Sequence, residues 1–260
     1  MVTKRPNPKK DKSARRRRPA PPPLASSHAG IDGAALTAAT LTDGLVLASG
    51  VRIRMAQVGD LETVQRLIAS TGSGVNLENR LADAMADGRL GTAVMKGLAE
   101  GEEALTYEMA VAASPEGEGS VDDLIIGLSC ILVADHPSHG VVGALLALPP
   151  ARVLSNLGIP EMEALAGLLK IIKLNAVAVE PTHRSGGIAA ALIATCRQLY
   201  SQLRYLLLYG QFSARSGLDA YYRRQGLTVL REGQGVKLTM FSVPAGIYTD
   251  PSERFFACDL

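Results

Sequence analysis

A chain of 260 residues with 47% apolar side chains is long enough to bury a full core in one domain, and its composition is that of a soluble enzyme. No apolar run reaches the ~18 residues that a bilayer crossing needs, and the N-terminus has no apolar signal-peptide core, which predicts a cytoplasmic protein with no membrane partner. The net charge of +2 is unevenly spread: residues 1–18 set nine Lys and Arg side chains against Asp11, a local +8, and leave about −6 for the remainder. Residues 19–30 continue as a Pro-rich linker that cannot bury apolar surface. Everything before about Val51 is expected outside the folded domain, which gives a basic tail over 1–48, a domain over 49–250 and a C-terminal tail over 251–260. The basic segment reads as a salt-sensitive arm for nucleic acid, as a solubilising extension, or as a start codon placed too far upstream.

In chain order, residues 51–55 alternate as a short strand, and Asp60 can cap a helix with Leu61, Val64, Leu67 and Ile68 on one face. Residues 77–86 read as a second amphipathic helix with Leu77, Leu81 and Met85 in line. Strands are then expected over 92–95, 105–113 and 125–134, the last rich in branched residues. Residues 141–168, broken by Pro149, Pro150 and Pro160, read as two short helical pieces within an insertion at about 136–168. A strand over Ile171–Val179 places Leu174, Ala176 and Ala178 on one face and Asn175, Val177 and Val179 on the other, until Pro181 stops it.

A helix over 188–203 follows, with Ile188, Leu192, Cys196, Leu199 and Leu203 forming a buried stripe. Residues 205–210 form a buried strand and 216–225 a helix ended by Gly226. A hairpin over 228–231 and 236–243 closes the domain around Gly233 and Gly235. Cys130, Cys196 and Cys258 are widely spaced, odd in number and set in apolar or terminal surroundings, which suggests neither a disulfide framework nor a zinc site.

Between the strand and the helix lies Arg184-Ser185-Gly186-Gly187-Ile188-Ala189. A strand-turn-helix unit with bare amides at the turn is an anion site, because side-chain-free glycines let a diphosphate approach while the helix dipole adds partial positive charge. Arg184-x-x-Gly187-x-Ala189 resembles the Gln/Arg-x-x-Gly-x-Gly/Ala element of the GCN5-related N-acetyltransferases (GNAT), and Tyr222-Arg223-Arg224-Gln225-Gly226-Leu227 resembles the Tyr-x-x-x-Gly-Phe segment of the same family. The resemblance implies an α/β (α+β) GNAT-like acyl-CoA N-acyltransferase fold, a central mixed, mostly antiparallel sheet flanked by helices. The competing architecture, a doubly wound nucleotide-binding fold, places its glycine turn after the first strand, and here the turn comes late.

The resemblance also implies a reaction, transfer of an acetyl group from acetyl-CoA to an amine by direct attack in a ternary complex. In that reading the amides of Arg184, Ser185, Gly186, Gly187, Ile188 and Ala189 hold the pyrophosphate, and the main chain at Val177 and Val179 binds the pantetheine arm like an added strand. An amide near Val177 faces the thioester carbonyl, and Tyr222 is the general acid, favoured over Tyr221, which points about 100° away round the helix. Glu180 is the candidate base, the alternative being an amine that arrives neutral. Where the family commonly has an asparagine on the cofactor, this chain has Arg215, which either leaves that contact missing or brings a cation to a phosphate. The strand lacks the internal glutamate of histone-type members, so histone-like substrates are not favoured.

No metal is expected: His136-Pro-Ser-His139 pairs two histidines without a third ligand nearby and reads as a loop, and His183 as a surface or phosphate-touching residue. The acceptor is left open among a small molecule, a peptide and an aminoacyl-tRNA, with Arg215, Arg223 and Arg224 and the basic tail as phosphate contacts in the last case. A non-catalytic coenzyme-A-binding protein and a homodimer are also left open.

Overall fold

The computed structural model describes residues 35–72, 75–114, 119–239, 241 and 245–260. The basic segment and the Pro-rich linker lie outside these residues. The described chain opens with α1 (Ala38–Asp43), started by a capping box between Thr37 and Thr40, and β1 (Leu45–Val46). Next come β2 (Arg52–Met55), α2 (Leu61–Ala69) and α3 (Asn79–Ala86). Three more helices, α4 (Thr92–Glu100), α5 (Glu102–Ala113) and α6 (Val121–Leu128), precede the hairpin of β3 (Cys130–His136) and β4 (Gly140–Leu148).

Short helices α7 (Ala151–Ser155) and α8 (Glu161–Leu168) lead into β5 (Ile171–Val179), α9 (Ile188–Gln202), β6 (Leu207–Ser213), α10 (Asp219–Arg224) and β7 (Thr228–Val229). A separate two-stranded ribbon, β8 (Val236–Leu238) with β9 (Ala245–Ile247), and then β10 (Glu253–Asp259) complete the chain.

The main sheet runs β1-β2-β3-β4-β5-β6-β10-β7, and every pair in it is antiparallel except β5 with β6. Both faces are covered. On one, Val64, Leu67 and Ile68 of α2 and Leu81 and Met85 of α3 pack on Ile131, Val133, Ala144 and Leu146. On the other, Leu192, Cys196 and Leu199 of α9 pack on Leu132 and Leu145. The alternation of neighbours along β3 and β4 between these two clusters is the period-2 geometry of a strand buried on both sides. Among the described residues no helix is long and apolar enough to cross a membrane.

Several expectations are corrected. Residues 92–95 and 105–113 are helical, in α4 and α5, since Ala-rich sequence after Gly101, with Glu102 and Glu103 in the first turn, favours a helix once α4, α5 and α6 pack together. The strand expected over 125–134 is the end of α6 followed by β3. The first part of the expected insertion is β4, a central strand whose run of apolar residues shows no alternation because both its faces are buried. The expected closing hairpin does not form: β7 pairs with β10, and β8 pairs with β9.

Both presumed tails belong to the fold where they are described. Leu36 and Leu41 are buried and β1 pairs with β2, while β10 inserts between β6 and β7 with Phe255 and Phe256 buried. Asp60 stands at the start of α2, but its carboxylate accepts from Arg54 at 2.6 Å and from the Gln57 N–H at 2.7 Å instead of capping the helix.

Candidate functional site

The site begins with a fork in the sheet. β5 and β6 run in parallel register only from Ile171 opposite Leu207 to Leu174 opposite Gly210. Beyond that point β5 stays on β4 as far as Val179 opposite Gly143, and β6 stays on β10 as far as Ser213 opposite Glu253. Each strand keeps its outer neighbour and loses the inner one, so a cleft with a free strand edge opens between them.

A bulge aims that edge. The β4–β5 register shifts so that Ala147 faces Leu174 and Leu146 faces Ala176, leaving Asn175 unopposed. This overturns the expected single face for Leu174, Ala176 and Ala178: Leu174 joins the cluster under α9, whereas Ala176 and Ala178 join the one under α2 and α3. Beyond the bulge the Glu180 N–H donates to Val142 O at 2.8 Å. Main-chain groups alternate sides along an antiparallel strand, so Ala178 also turns toward β4, and Val177 and Val179 present their N–H and C=O to the cleft. Arg184 agrees with that orientation, since its Nε donates to Val179 O at 3.0 Å from the open side.

The chain leaves β5 through a single 3-10 turn, Pro181–His183, and reaches the glycine turn. Ser185 and Gly187 both lie in the left-handed region, at φ 68° and 79°, and Gly187 is the residue from which α9 starts. The Gly187 carbonyl takes the Ala191 N–H at 2.9 Å, and among the described residues no acceptor meets the amides of Ser185, Gly186, Gly187, Ile188 and Ala189. They form a nest of donors at the N-terminus of a 15-residue helix, on the end of β5 where the fork is open.

At the apex of the fork is a residue whose role the sequence did not signal. A Cβ on Gly210 would lie 2.8 Å from Leu174 O and 2.2 Å from Phe256 Cζ, so only glycine lets β5, β6 and β10 close there. Phe256, opposite Gly210, stacks on Tyr222 with ring centroids 4.1 Å apart, and Phe212 lies 5.1 Å from the same tyrosine. Tyr222 is thereby tied to the apex. Burial pushes its hydroxyl up to about 12, with Tyr221 adding to the effect. Tyr221 is pushed up to about 12 by burial as well, but its hydroxyl is sealed from solvent without a partner, which that of Tyr222 is not.

The remaining expected residues are spread around the mouth. Glu180, at the end of β5, is ion-paired with Arg66 of α2, a partner that sequence spacing could not reveal. Arg215, in the loop after β6, is exposed and has no acidic partner among the described residues, and the same holds for Arg223 and Arg224 on α10. Cys130 and Cys196 are buried, and burial pushes the Cys130 thiol up to about 12. The reading of His136 and His139 as lacking a third partner is overturned: His183 comes in from the turn after β5, with its Nε2 3.0 Å from His139 Nδ1. Burial, and then the two neighbouring rings, hold His136 below the usual imidazole range.

No protein-family model and no curated protein matches the chain. Solved structures similar to it include NAA60 from Arabidopsis thaliana in complex with a bisubstrate analogue, at 14% identity over 80% of this chain and 97% of that one, TM-score 0.46. Another is a ribosomal-protein-alanine N-acetyltransferase from Brucella melitensis, at 17% identity over 80% and 99%, TM-score 0.44. A third is the paia N-acetyltransferase from Thermoplasma acidophilum in complex with coenzyme A, at 14% identity over 81% and 99%, TM-score 0.42.

Proposed function

We propose that the chain is an acetyl-CoA-dependent N-acetyltransferase of the GNAT kind. The observation that carries this reading is that the free edge of β5 and the unpaired amides of the glycine turn lie at the same end of one strand. A pantetheine arm is a linear chain of amides, suited to pair with a strand edge, and a pyrophosphate suits a nest at a helix N-terminus. Val177 and the Val179 N–H supply the edge, the Val179 carbonyl being taken by Arg184 Nε; the amides of Ser185, Gly186, Gly187, Ile188 and Ala189 supply the nest, and Arg184, whose own N–H goes to Pro181 O, adds its guanidinium at the turn. Arg215 adds a cation for a further phosphate.

In the reaction the amine nitrogen forms a bond to the thioester carbon, the carbonyl oxygen becomes an oxyanion facing the Val177 N–H, and the C–S bond then breaks. The amine proton passes to Glu180 through water, with Arg66 fixing the carboxylate. Tyr222 faces the sulfur. At about 12 its phenol is a weaker acid than a thiol at ~8.5, so it stabilises the departing thiolate as a hydrogen-bond donor while the thiolate takes its proton from solvent.

The exposure of Arg215, Arg223 and Arg224, none with an acidic partner among the described residues, favours a second reading of the acceptor, an aminoacyl-tRNA. Steep salt dependence of RNA binding supports it, and indifference to RNA removes it. The main proposal is tested by calorimetric titration of acetyl-CoA into the wild-type chain and Gly187→Trp. Wild-type binding that the variant loses is expected, because the indole occupies the phosphate position and φ 79° disfavours any side chain. Binding undiminished in the variant would refute the assignment of the turn.

A further inference from the structure

Four histidines occur in 260 residues, and three of them meet. His136 ends β3, His139 precedes β4 in the same hairpin turn, and His183 is the last residue of the 3-10 turn that feeds the glycine turn. The rings are packed against one another, with centroids 4.5 Å apart for His136 and His139, 5.2 Å for His136 and His183, and 4.9 Å for His139 and His183. One ring nitrogen from each residue lies within 4.8 Å of the other two.

The dimensions suit a small divalent cation. Zinc-to-imidazole bonds of about 2.0–2.1 Å on a tetrahedron put ligand nitrogens roughly 3.3–3.4 Å apart. His183 Nε2 and His139 Nδ1, at 3.0 Å, open by a few tenths of an ångström to reach that separation. The third ring moves inward, which rotation of a side chain at the surface can supply. Thr182 Oγ1 lies 3.0 Å from His183 Nδ1 and orients that ring with Nε2 toward the cluster, the kind of outer partner that metal-bound histidines have. There is one local cost. His136 Nδ1 accepts the Ser138 N–H at 3.2 Å, and a metal displaces that bond whether it takes Nδ1 itself or takes Nε2 and leaves the proton on Nδ1.

We propose that His136, His139 and His183 form a three-imidazole site for a divalent transition metal of the zinc type, with its fourth coordination position open to solvent. Three nitrogen ligands and no carboxylate select against calcium and magnesium, which take oxygen ligands, and fit zinc or cobalt. Bound there, the ion clamps the β3–β4 turn to the segment entering the glycine turn, two parts of the chain 44 residues apart between His139 and His183. Buried Cys130 and Cys196 do not compete for added metal.

The test uses the full chain without a histidine tag, stripped with chelator and titrated with Zn²⁺ by calorimetry and with Co²⁺ by its visible d–d absorption. One ion per chain is expected, with absorption of tetrahedral intensity and a Tm that rises by several degrees at saturating zinc. His183→Ala and His139→Gln each weaken binding roughly tenfold or more and leave the Tm of the metal-free protein unchanged, whereas His28→Ala binds as wild type. Absence of saturable binding, wild-type affinity in His183→Ala, or loss of binding in His28→Ala overturns the site. None of these titrations contains acetyl-CoA, so their failure leaves the acetyltransferase reading standing, and the failure of that reading leaves the metal site standing.

Discussion

The two arms of the fork are built from different materials. The β4–β5 arm is aliphatic and sets three small side chains, Ala144, Ala176 and Ala178, under α2 and α3, and it offers the cleft a main-chain edge. The β6–β10–β7 arm is aromatic: Phe212 and Phe256 stack with Tyr222 from α10, and Phe255 lies against Tyr209. Small residues let a helix lie close to the sheet while the strand edge stays free for a ligand. Large rings instead bolt a helix to the sheet and hold one side chain at the apex. The proposed reaction, which needs both an extended ligand along a strand edge and one hydroxyl held at the apex, uses both kinds of wall.

The largest effect expected from breaking this contrast is on the aromatic arm. Phe256→Ala removes a buried ring that touches both the apex and Tyr222, and should cost about 3–5 kcal/mol in denaturant unfolding; a loss below about 1 kcal/mol would show that the rings do not bolt the arm. Tyr222→Phe keeps the stack and removes only the hydroxyl. Transfer should slow roughly 100-fold with acetyl-CoA affinity and Tm nearly unchanged, and equal losses in rate and affinity would mark the residue as structural.

Gly210→Ala puts a methyl between Leu174 O and the Phe256 ring and should cost about 1–3 kcal/mol, whereas a neutral result would mean that the apex is not closed as described. The smallest effect is on pH dependence. Tyr221 and Tyr222 are raised to about 12 in the folded protein against ~10 in an unfolded chain, so their contribution to stability is intact below pH ~10 and is lost as pH rises through about 12. Denaturation midpoints at pH 9 and pH 11 check this. Tyr222→Phe should fall less between the two than wild type, and an equal fall would assign the alkaline loss elsewhere.

How far the site was legible depended on how local each signal is. The strand over Ile171–Val179, the glycine turn and the stripe of α9 are set by residues within a few positions of one another, and all three lie where pattern and turn chemistry put them. The helices α4 and α5 were not legible: their short apolar runs fit either period, and only packing against α6 chooses. β10 was missed because its partners β6 and β7 lie 24 or more residues away in sequence, and nothing in Arg254-Phe255-Phe256 announces which edge it will fill. The C-terminal tail was drawn too wide for the same reason; at the N-terminal one β1 pairs locally with β2, and the distant contact is that of Leu36, whose N–H donates to Gln202 Oε1 166 residues away.

What the sequence by itself determined is the element that needs only local chemistry, a strand ending at Pro181, two bare glycines and a helix behind them, and with it the expectation of an anion at that turn. The tertiary structure alone decided the fork, the bulge at Asn175 that divides Leu174 from Ala176, the glycine at the apex, the pairing of Glu180 with Arg66 and the meeting of three histidines. Each of these depends on which distant strands become neighbours. That choice is made by the burial of whole faces rather than by the residues at the site, so no local pattern carries it.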